Sequence, residues 1–204
     1  MLDAGNAFGL QRRDNPFFLE HFKMIDQYQL ADENLDSYKC LVISMFVDQE
    51  FLVVQKEKIR RFLDNKNIII FSGHLFRNWL PGTSHFVPRT IHSHLDYVVS
   101  IAKPHPIFEG VDSDAMTYNK GVAGFFARGH HPIPEGAEVL LTLPENEPVT
   151  YIDRNSTNGT ILVHAGNDLF GYMNNEKSTD RISSQLLQWT HEEYQQLQKG
   201  GSSL

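Results

Sequence analysis

One cysteine in 204 residues leaves little room for covalent architecture. Cys40 alone cannot close an intramolecular disulfide or supply a multi-cysteine zinc site, and such sparing use fits a reducing compartment. No apolar run approaches the ~18–20 residues that a membrane span needs. A basic-then-apolar leader pattern is also missing from the amino terminus. Positive charge is scarce: the formal net charge is −7, which argues against a binder of phosphate backbones. The pairs Arg12-Arg13 and Arg60-Arg61 read as solvated helix faces. No serine stands in a G-x-S-x-G frame, and GVAGFF (121–126) lacks the lysine of a phosphate loop. There is no internal repeat and no low-complexity tract. The chain therefore reads as cytoplasmic, with no nucleic-acid or membrane partner.

What is present suffices for a full core, with 41% hydrophobic and 11% aromatic residues. The length predicts one α/β domain over 1–199, and GGSSL (200–204) reads as a flexible tail. Asn15-Pro16 is a helix start, with Phe18, Phe22 and Ile25 as its apolar stripe. YKCLVISMFV (38–47) reads as a strand covered on both faces. Asp48 can cap the helix that follows, whose inner face carries Leu52, Ile59, Phe62 and Leu63. IIIFS (68–72) is the next strand. Strand, helix and strand in so short a span form a βαβ unit with parallel strands, which places Asp48 and His74 at one carboxyl edge. Open α/β sheets hold ligands at that edge.

The middle differs. Residues 91–153 hold the β-like runs HLDYVVSI, AEVLLTL and PVTYID, interrupted by prolines, which predicts an antiparallel extension. ENEP (145–148) reads as a tight turn. GTILVHAG (159–166) returns to a buried strand, and a last helix over about 179–199 carries Ile182, Leu186, Trp189 and Leu197. MLDAGNAFG looks like the end of a strand and its loop, so the expectation is either a short first strand at Leu2 or a first strand whose beginning this sequence lacks.

The order of EKIRRFLDNKNIIIFSGH (57–74), HPIFEGV (105–111), EVLLTLPENEPVTYID (138–153) and GTILVHAGNDLFGY (159–172) resembles the class I glutamine-amidotransferase-like superfamily. Within it, the chain is most similar to the ThuA-like and β-galactosidase trimerisation-like branch. The resemblance implies a three-layer, mostly parallel sheet flanked by helices, flavodoxin-like or amidotransferase-like in layout, with an antiparallel β extension. Active members of the family carry a nucleophilic cysteine on a glycine-flanked elbow, where the strained turn exposes the thiol at a helix N-terminus. Cys40 instead lies inside an apolar strand, shut within the sheet as a small hydrophobe. No Cys-His-Glu triad can be assembled, so glutaminase chemistry is not expected.

Three constellations remain. His74, His164 and Asp168 should gather at the carboxyl edge, where an imidazole beside a carboxylate could act as acid and base. Asp48, Arg77, Asn78 and Asn167 would bind a ligand there; the alternative is that the carboxylates merely cap turns. His92, His94 and Asp96 share one face if HSHLD is a strand, which offers a divalent metal an N,N,O set, with a polar strand face as the plainer reading. No other cofactor is expected. His130-His131 read as loop residues. Phe76, Trp79, Phe86, Phe125 and Phe126 either mark a partner surface or anchor long loops. The leading expectation is a catalytically silent amidotransferase-like domain that acts through protein association, as an oligomer or within a larger assembly. The alternative is a ThuA-like enzyme or binder of a carbohydrate-like or small polar ligand.

Overall fold

The computed structural model describes residues 1–6 and 12–200. The loop expected after Leu2 lies partly outside them, as does all of the expected tail but Gly200. Ten strands are seen among the described residues: β1 (Leu2–Asp3), β2 (Ile25–Asp26), β3 (Cys40–Ile43), β4 (Ile68–Ser72), β5 (Val87–Pro88), β6 (Ser100–Ile101), β7 (Gly129–His130), β8 (Glu138–Leu143), β9 (Glu147–Asp153) and β10 (Thr160–His164). The helices are α1 (Pro16–His21), α2 (Gln49–Val54), α3 (Lys56–Asp64), α4 (Ser113–Thr117) and α5 (Arg181–Lys199).

Six strands form one sheet in the order β3-β4-β10-β9-β8-β6. The strands β3, β4 and β10 are mutually parallel, with Cys40 opposite Ile68 and Ser72 opposite His164. From β10 outward every pairing is antiparallel. The sheet is mixed: the expected antiparallel extension is present but supplies half of the strands, so the sheet is not mostly parallel. The cause is the β8–β9 hairpin, whose turn holds Glu145 and Asn146 both at left-handed φ, 65° and 61°. A chain that reverses so tightly must lay its next strand antiparallel. A separate parallel pair joins β1 to β2, and β1 contacts β3.

Alternation along the buried strands builds the layers. Ile68, Ile70, Val42 and Leu162 face a cluster completed by Phe18, Phe170 and, from α5, Ile182, Leu186 and Trp189. Ile69, Phe71, Leu41, Ile43, Ile161 and Val163 face the opposite cluster, with Leu52, Ile59, Phe62 and Leu63 of α2 and α3. Side chains two residues apart share a face, so continuous apolar runs can fill both. Helices thus cover both faces of the parallel half.

Local expectations met mixed outcomes. Asn15 caps α1, its side chain accepting from Phe17 N at 3.0 Å. The helix stops at His21, however, and Ile25 belongs to β2. Gln55 breaks the helix after Asp48 into α2 and α3. Of HLDYVVSI only Ser100–Ile101 is strand, since His94–Tyr97 is a 3₁₀ turn. His130 lies in β7 rather than a loop. The last helix is close to its expected span.

Candidate functional site

The loops that leave the carboxyl ends of β1, β3 and β10 converge on one cavity of ≈ 230 Å³. Its wall includes Asp3 at the end of β1 and Ala4 after it, Ser44 to Phe46 after β3, and Asn167 and Asp168 after β10. Arg12, Asn119, Phe125, Tyr172 and Asn175 complete much of the rest. This is the position at which α/β sheets keep their ligands: side chains there are held by strand ends, and backbone amides and carbonyls are freed by the turns.

Charge in the wall is arranged in matched pairs. Arg12 Nη2 lies 2.7 Å from Asp168 Oδ2, with side-chain exposures of 14% and 4%. Asp168 also caps the turn after β10, Oδ1 accepting from Phe170 N at 3.0 Å. Arg13 donates twice to Asp3 Oδ2, at 2.9 and 2.6 Å, and Gly5 N donates to Oδ1 at 2.8 Å. Burial pushes the Asp3 carboxyl up, but the Gly5 amide and the Arg13 guanidinium together hold it below the usual carboxylate range. Asn167 is fixed by donating from Nδ2 to Phe125 O at 2.7 Å. At the rim, Phe46 is 61% exposed and sits at φ 75°, a left-handed conformation in which a bulky side chain is strained.

Of the expected acid–base trio only Asp168 reaches this cavity. His164 is fully buried, its Nδ1 2.8 Å from Thr150 Oγ1 and its ring edge-on to Phe126. Burial pushes its imidazole down to about 3, so it is neutral and out of reach of any ligand, a correction to its assignment as an acid–base group. The strand was read rightly; the error lay in the face, because the last residue of β10 still points into the core. His74 is half-buried, stacked on Phe86 at 3.7 Å, and held below its usual value by desolvation. It lines a neighbouring shallow cleft with Asp48 and Arg77. The shared edge of Asp48 and His74 is therefore as expected.

The ligand-binding set divides. Asp48 serves as a cap, Oδ1 accepting from Phe51 N at 3.1 Å and Oδ2 accepting from Tyr28 Oη at 3.1 Å. Arg77 pairs with Glu50 at 2.5 Å on the exposed surface. Asn78 is exposed on the same loop. Gln49 clamps the loop that follows Gly73 and His74. Its Oε1 accepts from Phe76 N and Trp79 Nε1 at 2.8 and 3.3 Å, while its Nε2 donates to His74 O at 2.7 Å. Gly73, at φ 144° and pressed against Met45, turns the chain off the sheet into that clamp. Trp79 and Phe126 are buried loop anchors, whereas Phe76 and Phe125 remain exposed.

The metal reading loses its geometric basis. His94 and Asp96 lie in a 3₁₀ turn capped by Ser93, so no strand aligns them with His92. Both Asp96 bonds of 2.8 Å come from the backbone amides of His92 and Ser93. Arg89 Nη2 lies 3.5 Å away from the same carboxylate. Among the described residues no group of three or more His, Cys, Asp or Glu side chains could hold a metal.

Cys40 is the first residue of β3, at the amino end of the sheet, away from the cavity. It is half-buried and borders a second cleft together with His21 and His191, so it is not shut inside as expected. Burial nonetheless pushes its thiol up to about 12, far from the activated range.

Arg12, Asp3, Asn119 and Tyr172 were missed by sequence reasoning. One signal was available: Ala-Gly-Asn occurs twice, at 4–6 and 165–167, each time after a strand that ends at this cavity, and each time beside a carboxylate. Arg12 was hidden by its resemblance to a solvated pair.

No family model and no curated protein matches the chain. Solved structures do. The cytoplasmic protein STM3548 from Salmonella typhimurium is 15% identical with a TM-score of 0.57, over 82% of this chain and 80% of that one. The cytoplasmic protein STM1381 from Salmonella typhimurium LT2 is 9% identical with a TM-score of 0.54, over 84% and 80%. The exo-β-1,4-mannosidase Op5Man5 from Opitutaceae bacterium strain TAV5 reaches a TM-score of 0.42 at 12% identity, over 90% of this chain and 28% of that chain. At these identities the likeness is one of fold. Among the described residues no helix is long and apolar enough to cross a membrane.

Proposed function

We propose that the chain is a catalytically silent, amidotransferase-like cytoplasmic domain that binds a small polar molecule in the carboxyl-edge cavity. The observation that carries the reading is the placement of Asp3, Arg12, Asn119, Asn167 and Asp168 around one concave space at that edge. A few convergent polar groups within an otherwise apolar wall are the usual composition of a small-molecule site. A volume of ≈ 230 Å³ falls below the roughly 300–1,000 Å³ of drug-sized pockets, which limits the occupant to a small metabolite. Binding rather than catalysis is favoured because no histidine or cysteine lines the cavity among the described residues. The buried Arg12–Asp168 pair also leaves that carboxylate matched instead of poised as a base.

Gly171 supplies the test. It lines the cavity, and a Cβ built on it meets nothing within 4 Å. Gly171→Leu should fold normally while filling the space. Ligand-observed NMR against a library of neutral sugars and polyols, sugar phosphates, amino acids and dicarboxylates should show binding to the wild type that this variant loses. Binding unchanged by the substitution, or no binding by any compound class, refutes the reading.

Self-association is the second reading, favoured by Phe46 and Phe76, which are 61% and 53% exposed at the two adjacent clefts. Large aromatics left in water commonly mark a protein interface. It predicts a solution mass above that of one chain by light scattering; a monomer at high concentration excludes it.

A further inference from the structure

A second cavity, of ≈ 270 Å³, opens beside the amino end of β3, on the face of the sheet that α5 covers. It shares no residue with the carboxyl-edge cavity. Val42, Ile70 and Phe170 close its floor, each no more than 2% exposed. The surface that a ligand can touch belongs to the half-buried Phe22, Tyr38, Cys40, Leu187 and Tyr194. Burial pushes the Cys40 thiol up to about 12, so it joins this wall as a neutral group. His21, Lys39 and His191 line the same cleft and are exposed, which makes them its mouth. Lys39 Nζ lies 5.4 Å from the centre of the Tyr194 ring, a cation–π contact that holds the ammonium beside the wall.

The charge around this cleft has one sign. The chain carries 25 acidic residues against 18 basic ones, yet no Asp or Glu is among the described residues that line it. Glu33 accepts from Tyr38 Oη at 2.5 Å but is already paired with Lys23 at 2.8 Å. An ammonium and two imidazoles can donate to an anion, whereas a cation would find no counter-charge.

We propose that this cavity binds a small monocarboxylate with an apolar body, the hydrocarbon lying against Phe22, Leu187 and Tyr194 and the carboxylate at the mouth lined by His21, Lys39 and His191. The site is independent of the carboxyl-edge reading, and either can stand without the other. A volume of ≈ 270 Å³ lies below the roughly 300–1,000 Å³ of drug-sized pockets, so the body is one ring or a short chain rather than a long lipid tail. Sugars and phosphates suit it poorly, because polar groups pressed against an apolar wall lose their hydration without gaining partners.

Isothermal titration with octanoate, octylamine and 1-octanol varies the charge while the body stays constant. The wild type should bind octanoate, and octylamine about tenfold more weakly. Affinity should rise by up to about fourfold per methylene from butanoate to octanoate, as each added group is buried. Lys39→Glu, at an exposed position, should weaken octanoate about tenfold, strengthen octylamine and leave 1-octanol unchanged. Gly171→Leu, which fills the other cavity, should leave octanoate binding unchanged. Leu187→Trp should abolish it by filling this cleft. If that variant misfolds, the chain's one cysteine reports instead: saturating octanoate should slow the reaction of Cys40 with methyl methanethiosulfonate severalfold. Octylamine bound as tightly as octanoate, octanoate affinity unaltered by Lys39→Glu, or no binding at any chain length overturns the proposal. Octanoate binding that leaves the Cys40 rate unchanged, or that Gly171→Leu removes, belongs elsewhere on the molecule and overturns it too.

Discussion

Replacing the buried His164 by a residue that cannot titrate should change how stability depends on pH in a way that can be calculated. In the folded protein the imidazole is pushed down to about 3 by burial. An unfolded histidine titrates near pH 6.5. Between these values the unfolded chain takes up a proton that the native state refuses, so acid favours unfolding. The stability that this residue confers is complete above about pH 6.5 and drains away as the pH falls toward about 3. The slope is about 1.4 kcal/mol per pH unit, and the loss reaches about 3 kcal/mol by about pH 4.5. His164→Asn keeps an amide that can bond Thr150 but cannot titrate. It loses the edge contact with Phe126, a cost that is the same at every pH. The test is therefore the slope, not the offset. Urea unfolding of both proteins from about pH 4 to about pH 6 should give midpoints that fall more steeply for the wild type. With an m-value of about 2.5 kcal/mol/M, the difference is about 0.5 M per pH unit. Parallel lines for the two proteins would show that His164 is not held neutral in the native state, and the argument from burial would fail.

Other predictions test neighbouring parts of the structure. Arg12→Ala strands the Asp168 carboxylate in a buried wall and should cost about 3 kcal/mol in urea unfolding; Asp168→Asn in the same chain should recover much of it. Glu193 is 4% exposed on α5 and accepts from Arg154 at 2.7 and 2.9 Å and from Thr160 Oγ1 at 2.7 Å, tying the helix to the sheet. Glu193→Ala should lower stability by about 3 kcal/mol, measured the same way, since it leaves the buried Thr160 hydroxyl unpartnered and Arg154 with Glu138 alone. Gly166→Ala would drive a Cβ into the Phe126 carbonyl oxygen and toward His164 Nε2, so a loss of about 2–3 kcal/mol or failure to fold is expected. Cys40, its thiol raised to about 12, should react with a bulky maleimide at neutral pH roughly 10³-fold more slowly than a free thiol. A rate near that of free cysteine would show an activated sulfur.

Much of the parallel half was legible in the chain. Apolar runs at 38–47 and 68–72 with a capped helix between them fix a βαβ unit, because short covalent connections and the period of two leave few alternatives. That is why Asp48 and His74 were placed at one edge correctly. HSHLD shows where local pattern misleads. Alternation suggested a strand, but Ser93 and Asp96 could satisfy nearby amides as a capping box, and that local bonding prevailed. The mixed character of the sheet was likewise underestimated, since which neighbour a strand chooses is not written in its own residues.

The sequence by itself determined which segments are buried, where the chain turns, and that a strand-edge crevice should exist. Periodicity, caps and turn residues are properties of neighbours along the chain, and they act before any long-range contact forms. Only the tertiary structure decided which polar groups share that crevice. Arg12 meets Asp168 across 156 positions, and Asn119 and Tyr172 join them from loops with no common pattern. His164 went the other way, drawn inward by the packing of Thr150 and Phe126 around it. Burial and charge pairing are set by the sum of all contacts at a point in space, and no stretch of sequence holds that sum.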